Sequence, residues 1–147
     1  MDAGTIRDIL KIKGHTVYSV TPEKSVRDAI MLMAQVDVGA LLVMDGVRVV
    51  GIFSERDYAR KVILKGRASK DTKVEEIMTS PIPVTPDHTV MQALEIMTNS
   101  RVRHLPVLEN DRVIGMISTG DLVKKIIVEQ QSHIQHLQNY ITGTYLG

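Results

Sequence analysis

Two stretches of the chain decide its fold: GIFSERD at residues 51–57 and GMISTGD at residues 115–121. Each places a glycine and apolar residues before a serine, with an aspartate three residues after that serine. Apolar β-branched and aromatic residues favour a strand, and a serine ahead of polar residues favours the start of a helix. Both stretches therefore predict a strand that runs directly into a helix, with the serine at the junction.

The two stretches belong to a longer repeat. Residues 17–58 align without a gap with residues 81–122, at an offset of 64, and 14 of the 42 aligned pairs are identical. Each copy predicts the same order of elements: strand, helix, strand, strand, helix. A repeat of this kind indicates one structural unit used twice. We therefore expect an α/β (α+β) chain of two β-α-β-β-α units, packed with pseudo-twofold symmetry so that each covers the other's apolar face.

The elements within each copy follow from periodicity and caps. The apolar spacing of a helix begins directly after Ser25 in the first copy and after Thr89 in the second, and both residues are favoured N-caps. Two short apolar runs separated by turn residues come next, which predicts a β-hairpin. These runs are 40–44 and 47–53 in the first copy, and 105–108 and 112–117 in the second.

Three segments lie outside the repeat. Residues 5–13 predict a short N-terminal helix ended by Gly14, and residues 66–73 predict a polar linker before a small helix at 74–78. We divide the chain there, with residues 1–73 forming the first domain and residues 74–147 the second.

The last predicted helix is longer than the repeat requires. It runs from Ser118 to about Ile141, with Gly143 beyond its end. Its apolar positions continue in a 4-3 rhythm with Gln130 as the exception: Val123, Ile127, Ile134, Leu137 and Ile141. We interpret this stripe as a homodimer contact, and packing on the chain's own core is the alternative.

The composition limits the class of protein. The formal net charge is +1, which argues against the concentrated basic face that nucleic-acid binding requires. The chain has no cysteine, which excludes disulfides and thiolate zinc sites and fits a reducing compartment. No apolar run approaches the ~20 residues of a membrane-spanning helix, and the N-terminus has no signal-sequence pattern. We expect a cytoplasmic protein that binds neither nucleic acid nor membranes.

The serine and aspartate of each repeated stretch point to a bound nucleotide. Ser54 and Ser118 each open a predicted helix, where free N–H groups favour an anion such as phosphate. Asp57 and Asp121 follow one turn later, and a carboxylate suits the cis-diol of a ribose because it accepts two hydrogen bonds at once. The alternative is local, since Ser-x-x-Asp resembles a capping box, which needs no ligand. Two copies in register, each after a glycine and a strand, favour binding.

Three further segments carry a family resemblance: MTSP at 78–81, VTP at 84–86 and RHLPV at 103–107. With the two Gly-hydrophobic-x-Ser-x-x-Asp stretches, they make residues 5–141 resemble a stand-alone tandem pair of CBS domains of the bacterial type. This regulatory module is named after cystathionine β-synthase and is also called a Bateman module. The resemblance implies a non-enzymatic sensor of AMP, ADP or ATP, and in some members of S-adenosylmethionine or NAD(H). It also implies a homodimer and an unidentified regulated protein.

The resemblance further implies two nucleotide sites, each joining the Ser-x-x-Asp of one unit to early segments of the other. The first site would comprise Ile52, Ser54, Arg56, Asp57, Ser80, Pro81, Ile82, Val102, Arg103 and His104. The second would comprise Thr16, Val17, Tyr18, Val38, Gly39, Ala40, Met116, Ser118 and Asp121. Ile52 would lie under the adenine of the first site.

The two implied sites differ in charge. Arg103 and Arg56 of the first site correspond to Gly39 and Gly120 at the second. Arginine offers phosphate a forked, permanently charged donor, and His104 adds charge as the pH falls toward its ordinary pKa of about 6.5. We therefore expect the first site to take the more highly charged nucleotide, and the second to take AMP or an uncharged nucleoside extension.

The sequence leaves two other classes of function open. A structural or interaction protein would use the dimer itself to dock on a partner enzyme, with vestigial clefts. Nucleotide hydrolysis would need a placed nucleophile, base or metal, and no histidine stands where it would activate Ser54. His133 and His136 have the spacing of two metal ligands on a helix, but solvated side chains are the commoner case, so we expect no metal. We interpret Arg60 and Lys61 as an ordinary solvated helix face.

Overall fold

A computed structural model describes the backbone of residues 3–142 and the side chains of residues 3–139. Within this range the chain forms two small sheets and five α-helices. A π-helix, Tyr58–Ile63, continues the third helix, and a single 3₁₀ turn, Val74–Glu76, stands between the two units. In chain order the other elements are α1 (Ile6–Lys13), β1 (Ser19–Val20), α2 (Val26–Val36), β2 (Ala40–Asp45), β3 (Arg48–Ser54), α3 (Glu55–Asp57), α4 (Val90–Ser100), β4 (His104–Glu109), β5 (Arg112–Ser118) and α5 (Thr119–Thr142).

The two copies form matching β-hairpins. β2 pairs antiparallel with β3, and β4 pairs antiparallel with β5. Ala40 pairs with Ser54 and His104 pairs with Ser118, so the two registers are related by the same offset of 64 residues as the sequence repeat. Each hairpin also has one register shift, at corresponding positions. The predicted fold of two repeated α/β units is confirmed.

The first strand is the element in which the two copies differ. β1 pairs parallel with β2, whereas Val84 in the second copy forms only an isolated bridge to Val107. In the first copy the Leu42 N–H donates to the Tyr18 carbonyl at 3.1 Å. Pro106 replaces Leu42 in the second copy and has no N–H to donate. The second copy therefore loses this hydrogen bond, and its strand shortens to a bridge.

Side-chain caps start the helices at the predicted positions. The Ser25 hydroxyl accepts from the Asp28 N–H at 3.1 Å, and the Thr89 hydroxyl accepts from the Gln92 N–H at 3.0 Å. α1 ends at Gly14, whose φ of 94° lies in the region that favours glycine. Both N-caps and the end of the N-terminal helix are therefore confirmed.

The helices that follow the two repeated stretches differ from each other. After Ser54 the chain makes one α-helical turn and then widens, since the Leu64 N–H donates to the Ala59 carbonyl at 3.1 Å, the i→i+5 spacing of a π-helix. After Ser118 the chain stays α-helical throughout α5. The predicted terminator Gly143 lies outside the described residues.

The segment that precedes each unit packs on the other unit. α1 contributes Ile6 and Leu10 to the core that contains α4, β4 and β5. The segment after the linker contributes Val74 and Ile77 to the core that contains α2, β2 and β3. α1 lies before residue 73 but packs in the second unit, and the 74–78 segment lies after residue 73 but packs in the first unit. The packing therefore crosses the predicted boundary in both directions. Each segment does so because it covers the apolar face of the opposite hairpin.

Two glycines of the repeated stretches permit this exchange. A Cβ at Gly51 would lie 2.3 Å from the Met78 sulfur, and a Cβ at Gly115 would lie 2.6 Å from a methyl group of Leu10. Neither distance is possible unless the Met78 or Leu10 side chain moves. The two glycines therefore leave room for α1 and the 74–78 segment where each crosses a strand. A third apolar cluster joins the two hairpins and consists of Ala40, Leu42 and Ile52 with Val17, Met44, Val49, Val113 and Met116.

α5 extends beyond the core of its own unit. Its first turns are anchored by buried Leu122 and by Ile126, which packs against the second core. Its 24 residues span about 36 Å at the usual helical rise. Four residues of the predicted apolar stripe are 43–52% exposed: Val123, Ile127, Ile134 and Leu137. The stripe therefore does not pack on the chain's own core, and the side chain of Ile141 lies outside the described residues.

Candidate functional site

A cleft of about 420 Å³ opens between the two units beside the turn that joins β3 to α3. We call it cleft one, and its volume lies in the range of small-molecule sites. The first unit contributes the end of β3, α3 and the start of the π-helix, and the second contributes the segment before Pro81 and the turn between α4 and β4. The lining residues are Gly39, Ile52, Ser54, Glu55, Arg56, Asp57, Arg60, Lys61, Thr79, Ser80, Arg101, Val102, Arg103 and His104.

Asp57 is buried in cleft one, and its carboxylate is fully engaged by the protein. Oδ2 accepts from the N–H and from the hydroxyl of Ser54, both at 3.0 Å. Oδ1 accepts from the Thr79 hydroxyl at 2.8 Å and lies 3.0 Å from Lys61 Nζ. The Ser54 hydroxyl also accepts from the Asp57 N–H at 3.2 Å, which completes a capping box. The capping interpretation is therefore correct for the local structure.

Four guanidinium groups surround the mouth of cleft one. They belong to Arg56, Arg60, Arg101 and Arg103. Within residues 3–139, none of the four makes an ion pair or a side-chain hydrogen bond. The positive charge of Arg60, partial burial and the charge of Arg103 together lower the pKa of Arg56. The charge of Asp57 opposes this shift but does not cancel it. The four arginines therefore make this part of the cleft strongly basic.

His104 opens β4 and lies between the two repeated stretches. Burial lowers its pKa below the usual 6.5, and the charge of Lys13 acts in the same direction. Asp121 and Asp57 oppose this shift, but they do not cancel it. His104 is therefore neutral near pH 7, and the pH at which it gains charge is lower than the sequence predicted.

Cleft one brings together eight of the ten residues predicted for the first site. Pro81 lies instead in a separate groove with Pro83 and Pro106, and Ile82 packs against the second core. Both leave the cleft because the chain beyond Ser80 turns toward β4, where the Val84 N–H donates to a β4 carbonyl. Nucleotide binding by the eight residues stays a prediction.

Sequence reasoning missed other residues of cleft one, including Arg60, Lys61, Thr79 and Arg101. Arg60 and Lys61 do not form an ordinary solvated face, because both line the cleft and Lys61 pairs with Asp57. A signal existed, since they follow that aspartate by three and four residues, which is one helical turn. Thr79 lies in the MTSP segment of the family resemblance, but no pattern placed its hydroxyl beside Asp57. Arg101 gave no signal, because only the packing of the units brings it to the cleft.

The residues predicted for the second site lie in different surroundings. Gly39 lines cleft one, while Thr16 and Tyr18 are exposed. Four others take part in apolar packing: Val17, Val38, Ala40 and Met116. Ser118 and Asp121 form a second capping box, with N–H···O distances of 2.8 and 3.1 Å. Met116, Ser118 and Asp121 correspond in the repeat to Ile52, Ser54 and Asp57 of cleft one, and we name the region around them cleft two on that basis.

Lys13, which the sequence did not single out, reaches into cleft two from the end of α1. Its ammonium donates to Asp121 Oδ2 at 2.6 Å and to the Met116 carbonyl at 2.7 Å. Partial burial acts to raise the pKa of Asp121, but hydrogen bonds from Lys13 and from the Ser118 N–H outweigh it and lower the pKa. The carboxylate is therefore held ionised by a lysine of the same chain.

The described residues contain neither a membrane-spanning helix nor a cluster of metal ligands. No helix between residues 3 and 142 combines the length and the apolarity that a bilayer crossing needs. Over the same part of the chain, histidines and carboxylates nowhere gather in threes as a metal site would require.

Comparison with known proteins identifies the family. The family model of the CBS domain matches residues 6–64 and again residues 74–128. The mitochondrial CBS domain-containing protein CBSX3 of Arabidopsis thaliana is 41% identical over an alignment of 154 residues, which covers 98% of this chain and 75% of the relative.

Solved structures share the fold. A candidate signal-transduction protein with CBS domains from Burkholderia ambifaria is 50% identical with a TM-score of 0.80, over 86% of this chain and 96% of that one. A CBS domain protein from Pyrobaculum aerophilum, complexed with AMP, is 24% identical with a TM-score of 0.71, over 80% and 88% of the two chains. The names of these relatives describe CBS-domain or signal-transduction proteins and not enzymes. The repeated units, the interleaved cores and the two family matches agree: this chain belongs to the CBS-domain family as a tandem pair.

Proposed function

We propose that this chain is a regulatory module that binds an adenine nucleotide in cleft one and favours ADP and ATP over AMP. The observation that carries the proposal is the cluster of four guanidinium groups that line the cleft and make no ion pair with any residue the structure describes. A nucleotide with more phosphate groups neutralises more of this charge, so the free energy gained on binding grows with the number of phosphates. The Pyrobaculum relative complexed with AMP supports an adenine nucleotide as the ligand class.

The rest of the cleft suits the other parts of a nucleotide. Ile52 supplies an apolar surface for the base at the inner end of the cleft. Asp57 supports the site in a different way from the one the sequence suggested, because its carboxylate holds Ser54, Thr79 and Lys61 in place. A ribose hydroxyl reaches this carboxylate by displacing Lys61, which then becomes free to meet a phosphate.

The position of cleft one gives the module a way to signal. Arg56 and Arg60 come from the first unit, and Arg101 and Arg103 come from the second. A polyphosphate that contacts both pairs favours the arrangement in which the two units hold them close together. Differential binding of this kind is what a ligand needs in order to shift a conformational equilibrium.

Titration calorimetry with AMP, ADP and ATP tests the proposal. We expect the affinity to rise from AMP to ADP to ATP. Replacing Arg103 with glutamine should weaken ATP binding by about 1.5–3 kcal/mol, the scale of a hydrogen bond to a charged group, and should weaken AMP binding less. Arg27→Gln is the matched control, because Arg27 does not line the cleft. Equal affinity for all three nucleotides, or equal effects of the two variants, would contradict the proposal.

The positive charge of cleft one also distinguishes between S-adenosylmethionine and NAD(H), the two other ligands that the family resemblance implies. S-adenosylmethionine carries a sulfonium and an ammonium group, which four guanidinium groups repel. NAD(H) carries a diphosphate and belongs in the same titration. An enzymatic role is not part of the proposal. The cytoplasmic location stays a prediction, since the Arabidopsis relative is named as mitochondrial.

A second role is supported by α5. We propose that its exposed apolar stripe is the contact of a homodimer, because four aliphatic side chains about half exposed along one helix face gain free energy when a second copy covers them. The dimer then offers the docking surface for a regulated partner. This role does not need nucleotide binding, and the absence of any nucleotide effect on melting temperature would favour it over the sensor.

A further inference from the structure

Cleft two differs from cleft one in what holds its aspartate. In cleft one the partner of Asp57 is Lys61, which lies on the same helical segment and also donates to the Ile77 carbonyl at 3.0 Å. In cleft two the partner of Asp121 is Lys13, which lies 108 residues away along the chain. Lys13 also donates to the carbonyl of Met116, the residue that corresponds to Ile52 of cleft one.

Lys13 is held in this position by a folded element. It is the last residue of α1, and α1 is anchored in the second core by Ile6 and Leu10, which are 0% and 2% exposed. The next segment is tied down as well, since His15 Nδ1 lies 2.7 Å from the Ile114 carbonyl. The ammonium therefore meets Asp121 without the loss of conformational freedom that a lysine on a loose tail would suffer.

Three of the four arginines that line cleft one have no basic counterpart in the repeat, while Arg60 corresponds to Lys124. The 64-residue offset relates Arg56 to Gly120, Arg103 to Gly39 and Arg101 to Asp37. Asp37 and Arg101 have the same left-handed backbone, with φ of 57° and 56°, and each closes the helix before a hairpin. At the positions that correspond to Arg56, Arg101 and Arg103, the chain therefore has two small residues and an acid in place of three guanidinium groups.

We propose that Lys13 closes cleft two to nucleotides, so that the chain binds one nucleotide and not two. The proposal rests on the function proposed for cleft one. A nucleotide in cleft two would have to displace an ammonium from a partly buried carboxylate, and it would find no arginine for its phosphates in exchange. Lys13 therefore stays bound to Asp121 in cleft two, and a nucleotide binds only in cleft one.

The stoichiometry of ATP binding tests this inference. We expect calorimetry to give one ATP per wild-type chain and a second binding event in Lys13→Ala. The second event should disappear in the double variant Lys13→Ala/Asp121→Asn. Lys11→Ala is the matched control, because Lys11 lies on the exposed part of the same helix and should leave one event. If Lys13→Ala has a lower melting temperature than the wild-type chain, Lys13→Gln takes its place. This variant loses the charge but keeps a donor for the Met116 carbonyl.

The outcomes separate this inference from the proposed function. Two events in the wild-type chain would overturn it, and so would a single event in both folded Lys13 variants. If the wild-type chain binds no ATP, the function proposed for cleft one fails. A new event in Lys13→Ala would still support closure of cleft two in that case, and no event in any variant would overturn both proposals.

Discussion

A single side chain, His104, makes the stability of the fold depend on pH. His104 faces charges from several elements: Asp57 and Arg103 at cleft one, and Asp121 and Lys13 at cleft two. Burial and the cationic neighbours lower its pKa in the folded chain. In the unfolded chain His104 returns to the ordinary value of 6.5. The folded and unfolded states therefore bind a different number of protons over a window that begins near this value and extends below it.

We expect the free energy of unfolding to fall as the pH falls below about 6.5, because the unfolded chain takes up the His104 proton first. The stability is fully present above this pH and is lost toward the folded pKa. Urea denaturation at several pH values between about 7.5 and 5 measures the effect, and His104→Gln should flatten the profile. His133→Gln is the control at an exposed helical position. Identical profiles for wild type and His104→Gln would show that this histidine does not link folding to pH.

At the scale of elements, each hairpin depends on the segment that crosses it. The Ile52 N–H donates to the Thr79 carbonyl at 2.9 Å, and the Thr79 N–H donates back at 2.9 Å, so the crossing segment pairs with β3 directly beside cleft one. Gly51 makes room for Met78 at this crossing. The glycine of the repeated stretch therefore serves packing, and it positions Thr79 for Asp57.

Gly51→Ala should destabilise the fold by about 1–3 kcal/mol, the usual cost of forcing a methyl group into a packed core. The added Cβ would meet three atoms of Met78 at 2.3 to 3.0 Å. Met78→Ala in the same chain should recover part of the loss, since it removes two of those atoms. Gly39→Ala is the control, because no atom lies within 4 Å of its added Cβ. Denaturant midpoints measure all four chains, and a Gly51→Ala midpoint equal to that of wild type would rule out a tight crossing.

At the scale of the whole molecule, α5 gives the chain more apolar surface than one copy covers. Leu122 and Ile126 use one side of the helix for the second core. Ile127 and Ile134 lie seven residues apart on another side and are 48% and 52% exposed. Because seven residues are nearly two helical turns, these two side chains share a face. That face suits the seam between two helices, and a second copy of the same chain supplies an identical one.

Ile134→Glu should convert the dimer into a monomer, because it places a charge in the apolar contact. Light scattering on a size-exclusion column measures the mass in solution. Ser132→Glu is the matched control on the opposite side of the same helix, where we expect the dimer to persist. A wild-type chain that is monomeric at all concentrations, or a Ile134→Glu variant that stays dimeric, would remove α5 as the contact.

The sequence by itself determined the duplicated α/β fold, because local physics sets it: the apolar periods, Ser25 and Thr89 as caps, and Gly14 as a helix end are all readable within one turn of the chain. The repeat also singled out Ser54 and Asp57, and the family resemblance singled out Arg103. The sequence did not determine which segment covers which hairpin, because α1 and the 74–78 segment both carry apolar residues and only three-dimensional packing selects the opposite unit.

The sequence predicted that the two clefts differ in charge, and the tertiary structure decided which further residues reach each of them. Arg101 joins cleft one, and Lys13 reaches Asp121 across 108 residues, through contacts that no local pattern contains. The duplication predicted two sites of one design with unequal charge. Both aspartates pair with a lysine, but the lysine comes from the same helical segment in cleft one and from the distant α1 in cleft two. Four guanidinium groups that make no ion pair within residues 3–139 line cleft one alone, because different elements approach the two repeated stretches.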